Sequence, residues 1–144
     1  MFFVKNYRSK KGRFHSVIDK ETSIEGKVYS PGSIKIEGGA TGEIISRKEV
    51  VIGQDGKVRA NIKARNIIID GNFVGNIILL GEARITFRGK LFGNLIQRNS
   101  CLSIEPGGLF RGKNITTDYK EIFNINDKKI VSNIKIKPRK IFEY

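Results

Sequence analysis

Six small residues recur along this chain: Gly26, Gly42, Ala60, Gly75, Gly93 and Gly112. Each sits midway between two residues spaced by four: Ile24/Val28, Ala40/Ile44, Val58/Ile62, Phe73/Ile77, Leu91/Leu95 and Phe110/Asn114. A second set of apolar pairs, spaced by two, keeps step with the first: Ile34/Ile36, Val50/Ile52, Ile67/Ile69, Ile85/Phe87 and Leu102/Ile104. Its second members lie 16, 17, 18 and 17 residues apart. Residues two or four apart on a strand face the same way. Within a pair the spacing never varies. All variation lies between pairs: 4, 6, 4, 4 and 6 residues in one direction, and 6, 6, 5, 8 and 7 in the other. Fixed strands joined by elastic corners are what a coil of short strands requires.

A helix does not fit. Its apolar face needs spacings of three and four, and each interior Gly would cost about 1 kcal/mol. A hairpin meander fits poorly, because Asp55-Gly56 and Asp70-Gly71 are isolated and do not fall regularly between runs. The spacing predicts an all-β parallel solenoid of about six windings, each pairing with the next at about 4.8 Å, with a body roughly 25–30 Å long. Ile24, Ala40, Val58, Phe73, Leu91 and Phe110 then stack as one inward ladder. The small residues let the backbone turn past them.

Composition narrows the function. Of 144 residues, 39% are hydrophobic and 28% charged, enough apolar material for a core. One Cys, Cys101, excludes an internal disulfide and a multi-cysteine zinc site. One His, His15, argues against a Ser-His-Asp triad or a His-rich metal site. No catalytic residues, metal or cofactor are expected. No stretch approaches the roughly 18 apolar residues of a membrane span, and the apolar start is too short for a signal peptide. A cytoplasmic protein is expected. Lys and Arg number 27 against 14 Asp and Glu, a formal charge of +13. Charge and glycine divide the chain into a flexible basic N-terminal tail over 1–21, a solenoid over 22–117, and a basic, glycine-poor C-terminal tail over 118–144.

The run Ile36-Glu37-Gly38-Gly39-Ala40-Thr41-Gly42-Glu43-Ile44, followed by Val50-Val51-Ile52-Gly53-Gln54-Asp55-Gly56-Lys57-Val58, resembles the bactofilins. So do Asp70-Gly71-Asn72-Phe73-Val74-Gly75-Asn76-Ile77 and Ile104-Glu105-Pro106-Gly107. The likeness covers about residues 20–117 and departs at Ala60, where Gly is usual, and in the longer basic C-terminal tail. The resemblance implies a right-handed β-helix that polymerises end to end without nucleotide. It also implies a bacterial cytoskeletal scaffold at the inner face of the cytoplasmic membrane, organising cell shape or cell-wall enzymes. Handedness comes from the resemblance alone.

Two regions stand out as sites. Met1, Phe2, Phe3 and Val4 can insert at a bilayer interface while Lys5, Arg8, Lys10, Lys11 and Arg13 face anionic headgroups. Each anchor is weak, and a filament multiplies it. The plainer reading is a tail whose apolar start means nothing. The end windings are the second region. A β-helix exposes strand edges at both ends, and no helical cap is evident. Leu109, Phe110 and Asn114 at one end, and Ile24 and Val28 at the other, are the expected polymer contacts. Against this stands a Phe110 that only fills the last layer.

Other features have plainer readings. The basic excess suits nonspecific phosphate binding, yet no nucleic-acid-reading motif or aromatic platform accompanies it, so a solvated surface is expected. Glu37, Asp70 and Glu105 follow inward apolar residues and read as corner residues. Cys101 reads as an inert structural thiol. Alternation over Ile130 to Ile136 allows a short strand or a partner-ordered tail. Two competing functions remain: a left-handed hexapeptide-repeat acyltransferase, and a basic nucleic-acid-binding solenoid. The first needs apolar residues every six positions and usually a catalytic His on a loop; here His15 lies in the tail. Salt-dependent gel shifts test the second.

Overall fold

A computed structural model describes residues 6–8, 14–98, 101–118 and 140–143, with side chains for 16–98 and 101–118. Every regular element among them is a strand. In chain order these are β1 (Asn6–Arg8), β2 (Phe14–Ile18), β3 (Ser23–Ser30), β4 (Ser33–Ile36), β5 (Gly39–Ser46), β6 (Glu49–Ile52) and β7 (Lys57–Ala64). They continue as β8 (Asn66–Ile69), β9 (Asn72–Leu79), β10 (Ala83–Ile85), β11 (Lys90–Gln97), β12 (Leu102–Ile104), β13 (Leu109–Thr116) and β14 (Lys140–Glu143).

Successive strands alternate between two seven-stranded sheets. The long-rung sheet runs β14-β13-β11-β9-β7-β5-β3, and the short-rung sheet β1-β2-β4-β6-β8-β10-β12. All pairings are parallel except β1 on β2 and β14 on β13. This is the expected solenoid of about six windings. Parallel in-register stacking follows from the repeat, because each rung meets an equivalent rung one winding away.

The register of the long-rung sheet matches the sequence reading residue for residue. Ile24, Ala40, Val58, Phe73, Leu91 and Phe110 pair in one column, and Val28, Ile44, Ile62, Ile77, Leu95 and Asn114 in another. Between them runs the small-residue column. A Cβ built on Gly93 would lie 1.8 Å from the Gly75 carbonyl oxygen, and Gly93 has φ 137°, a conformation open to glycine. The windings approach so closely here that the side chain must be absent. Ala60, which departs from the column, takes an ordinary negative φ and packs its methyl into the core.

The short-rung sheet corrects the reading twice. Its first rung is β2, where Ser16 and Ile18 pair with Ile34 and Ile36 and are buried. The winding body therefore begins inside the segment drawn as a flexible tail; a serine in the inward pair concealed it. Ser16 Oγ and Ser30 Oγ lie 3.1 Å apart, so the buried hydroxyl is satisfied in the neighbouring rung. In β10 the inward pair is Ala83/Ile85, not Ile85/Phe87. Phe87 stands in a turn, 56% exposed, with the Arg88 guanidinium 4.9 Å from its ring centre.

The corners explain the elastic gaps. Where six residues separate the inward pairs, a turn closes: Thr22 N–H donates to Asp19 O, Gly56 to Gly53, Gly89 to Thr86 and Gly108 to Glu105, each at 2.9 Å. Where four separate them, at Ile36–Ala40 and Ile69–Phe73, the chain passes directly. On the outer face an asparagine ladder runs up the windings, with Asn76 Nδ2 donating to Asn61 Oδ1 and Asn94 Nδ2 to Asn76 Oδ1.

Candidate functional site: the two ends of the solenoid

The inward ladder is closed from its middle to Phe110 and opens at its N-terminal member. Phe73 and Leu91 are fully buried, Phe110 is 8% exposed, and Ile24 is only half-buried. An interior layer has a winding above and below; a terminal layer lacks one. The short-rung sheet opens in the same way at the C-terminal end, where Leu102 is half-buried and Ile104 is 41% exposed.

The ends carry no helical cap among the described residues, as the sequence reading had it, but they are not bare. At the N-terminal end β1 lies antiparallel on β2, pairing Asn6 with Ser16, Tyr7 with His15 and Arg8 with Phe14. At the C-terminal end β14 lies antiparallel on β13, pairing Lys113 with Glu143, Asn114 with Phe142, Ile115 with Ile141 and Thr116 with Lys140. These capping strands come from the two segments read as tails. No apolar column announces them, because they repeat nothing.

The expected polymer contacts therefore separate. Leu109 and Phe110 lie on β13 outside the stretch that pairs with β14, and Phe110 is buried in the core. Asn114 is buried beneath the strand opposite Phe142, so the chain's own β14 occupies its edge. At the other end Ile24 is half-buried on β3, while Val28 is buried in the core. Of the expected membrane contacts, Met1, Phe2, Phe3, Val4, Lys5, Lys10 and Lys11 lie outside the described residues. Arg8 ends β1. The Ile130 to Ile136 alternation also lies outside them. No helix among the described residues is long and apolar enough to cross a membrane.

The corner carboxylates form ion pairs with cations. Glu37 pairs with Lys35 at 2.9 Å, Glu105 with Arg84 at 3.5 Å and Asp70 with Arg88 at 2.8 Å. Their backbone amides bind carbonyls of the preceding winding: Glu37 to Ile18, Asp70 to Ile52 and Glu105 to Ile85. Arg88 donates from both Nε and Nη2 to the two Asp70 oxygens, and Thr86 Oγ1 donates to the same carboxylate. The Arg88 hydrogen bonds hold the Asp70 carboxyl below its usual range against the opposing effect of burial, with Thr86 assisting. Cys101 is exposed rather than structural, with its thiol 3.7 Å from Glu82 Oε2.

Residues 16–114 match the family described as Bactofilin, polymer-forming cytoskeletal. This chain belongs to the bactofilin family. It is 26% identical over 99 residues to Bactofilin BacP of Myxococcus xanthus, an overlap that spans 69% of this chain but 40% of that relative. The fold is similar to a chain in the cryo-EM reconstruction of Thermus thermophilus bactofilin double helical filaments. The TM-score is 0.64 at 20% identity, covering 70% of this chain and 98% of that one. The family match begins within β2 and ends within β13, so neither capping strand falls inside it.

Proposed function

We propose that this chain is a bacterial cytoskeletal scaffold that self-assembles end to end into filaments without nucleotide. The observation that carries this reading is that the inward columns, closed at Phe73 and Leu91, open at Ile24 at one end and at Ile104 at the other. A subunit placed against either end completes the layer that the terminal winding lacks. Membership of a polymer-forming family supports the same reading. Negative-stain microscopy of the purified protein without nucleotide is expected to show filaments. Phe110→Arg places a charge in the last layer, where desolvation is costly, and is expected to stop growth with an unchanged circular dichroism spectrum. Ile24→Lys makes the same test at a half-buried position. Filaments of wild-type length from both folded variants exclude the end windings as contacts.

The filaments are proposed to lie on the inner face of the cytoplasmic membrane, held by Met1 to Val4 and the basic residues after them. There they would organise cell shape or cell-wall enzymes. Each large apolar side chain contributes roughly 1.5–3 kcal/mol if fully buried, before ordering costs, and a polymer repeats that contribution. Deleting Met1 to Val4 is expected to leave polymers intact and release them from anionic liposomes. Phe2→Ala with Phe3→Ala isolates the insertion step, and raised salt isolates charge. Co-sedimentation of the deletion variant at the wild-type level moves the anchor elsewhere, with the basic C-terminal segment next to be tested.

A further inference from the structure

The outer surface of the long-rung sheet is not uniform. Beyond the small-residue column each rung turns one residue outward: Tyr29, Ile45, Lys63, Ile78, Ile96 and Ile115, which pair in register from winding to winding. Ile45, Lys63, Ile96 and Ile115 are buried, Lys63 at only 1% exposure, and Tyr29 and Ile78 are half-buried. On the other side of the small residues the outward column of Glu25, Thr41, Arg59, Val74, Phe92 and Arg111 is exposed except at half-buried Phe92. Ile96 and Ile115 form a second apolar cluster apart from the core, with Ile78 and Leu80 packed against it. An outward side chain on a sheet reaches such burial only beneath another segment. Every described strand belongs to the walls of the solenoid, paired edge to edge in its two sheets.

We propose that residues 119–139 of the same chain lie along this outer column and shield it. The stripe is then a docking surface whose occupant is built into the protein.

Position and reach select that segment. The chain leaves β13 through Thr117, itself buried, and comes back with Lys140 opposite Thr116 and Ile141 opposite Ile115. Residues 119–139 therefore depart and return at the Ile115 end of the column. From Ile115 to Tyr29 the column crosses five inter-strand steps of about 4.8 Å, about 24 Å in all, and about ten extended residues span about 33 Å each way. The segment is long enough to run the length of the column and back. Its composition suits the surface. Ile122, Phe123, Ile125, Ile130, Ile134 and Ile136 can cover the isoleucines, and Glu121 and Asp127 offer a carboxylate to the buried Lys63 ammonium. Other segments fall short. Residues 1–5 lead into β1, at the opposite end of the solenoid and on the short-rung sheet, and 9–13 only join β1 to β2. Five extended residues reach about 17 Å and do not arrive at Ile96 and Ile115. Residues 99–100 are too few to cover a column. In a polymer an uncovered apolar stripe would repeat along the whole length and join filaments side by side. Shielding by 119–139 prevents that. This consequence rests on the self-assembly reading above, whereas the shielding itself does not.

Thiol reactivity in the unpolymerised full chain tests the shielding. In a Cys101→Ser background, Ile96→Cys is expected to react with a maleimide about tenfold or more slowly than Val74→Cys, which lies 41% exposed on the neighbouring column. Adding Phe123→Asp with Ile134→Asp is expected to raise the Ile96→Cys rate to that of Val74→Cys and to leave Val74→Cys unchanged, with the circular dichroism spectrum retained. Equal rates at the outset overturn the inference, and so does a slow Ile96→Cys that these substitutions leave slow. A slow rate that rises on dilution assigns the cover to a second copy, and one that rises only on deleting Met1 to Val4 assigns it to the N-terminus; both overturn the inference. Where the double variant does not fold, a photoreactive benzoylphenylalanine in place of Tyr29 decides. A cross-link to a peptide within 119–139 at monomer mass is expected. No such cross-link, or one at dimer mass only, overturns the inference. Filaments carrying Phe123→Asp with Ile134→Asp are expected to bundle side by side in negative stain, and separate filaments overturn the consequence for packing. If no filaments form even from the wild type, self-assembly fails, while the thiol rates still decide the shielding.

Discussion

The long-rung and short-rung sheets are wound from the same chain, yet they fix their registers by different means. Each long rung spans eight residues and brings a small residue against the backbone of the winding below. A Cβ at Gly42, Gly75, Gly93 or Gly112 would fall 2.1, 2.0, 1.8 or 1.6 Å from the carbonyl oxygen beneath it. Sliding such a rung in either direction drives a side chain into that oxygen. The short rungs span three to five residues and carry no such constraint. Their register is inherited from the corners, and corners of four and six residues both occur. Close backbone approach thus pins one sheet, and the other follows.

The strongest way to break this contrast is to put a side chain into the pinned column. Gly93→Val combines a φ that β-branched residues do not adopt with overlap against the Gly75 carbonyl. It is expected to cost about 5 kcal/mol or more, enough to leave the protein unfolded or molten by urea titration. Ala60→Gly, in the same column, restores the residue usual there but deletes a buried methyl and adds chain entropy. It is expected to cost only about 1 kcal/mol. A Gly93→Val protein as stable as wild type removes backbone approach as the origin of the register.

A second contrast tests the corrected register. Phe73 belongs to the pinned ladder and is fully buried, and Phe73→Ala is expected to cost about 3–5 kcal/mol. Phe87 belongs to the short-rung corner and stands in solvent, and Phe87→Ala is expected to change stability by about 0.5 kcal/mol or less. Equal losses in the two urea midpoints would place Phe87 back in the core.

These residues also show where sequence is informative. The long-rung columns were legible because each joins two inward residues to a small one, three constraints per rung. The short rung offers two. In the fifth winding one of them is Ala83, too small to stand out, while Phe87 two residues beyond Ile85 looked like the missing member. A slip of two preserves which face a side chain takes, and a corner of four was as acceptable as one of six; the one signal against the error was the gap of eight before Ile85, the longest of its series, which becomes six with Ala83. Ser16 hid the first rung for a similar reason: its hydroxyl is satisfied by Ser30, a partner that becomes visible only after folding. The candidate assembly site was legible in part. Phe110 and Ile24 follow from counting windings. The capping of Asn114 depends on β14, whose pairing spans a long separation in sequence and repeats no motif.

The smallest expected effect concerns the corners, where ion pairs between windings add to a register already set. Arg88 binds Asp70 from the next winding and lowers its carboxyl below the usual range, chiefly through the hydrogen bonds between them. A carboxyl depressed on folding adds stability that is fully present above its unfolded value. That stability is lost as pH falls through the folded value. Both partners are partly solvated, so screening keeps the gain small. Asp70→Asn is therefore expected to lower the urea midpoint slightly at neutral pH. The gap from wild type should close only as pH drops below the ordinary carboxylate range, and it should narrow with added salt. A gap of constant size down to the acid limit would mean that the loss at Asp70 does not come from its charge. The short-rung corner would then be held by geometry, as the long-rung sheet is, rather than by charge.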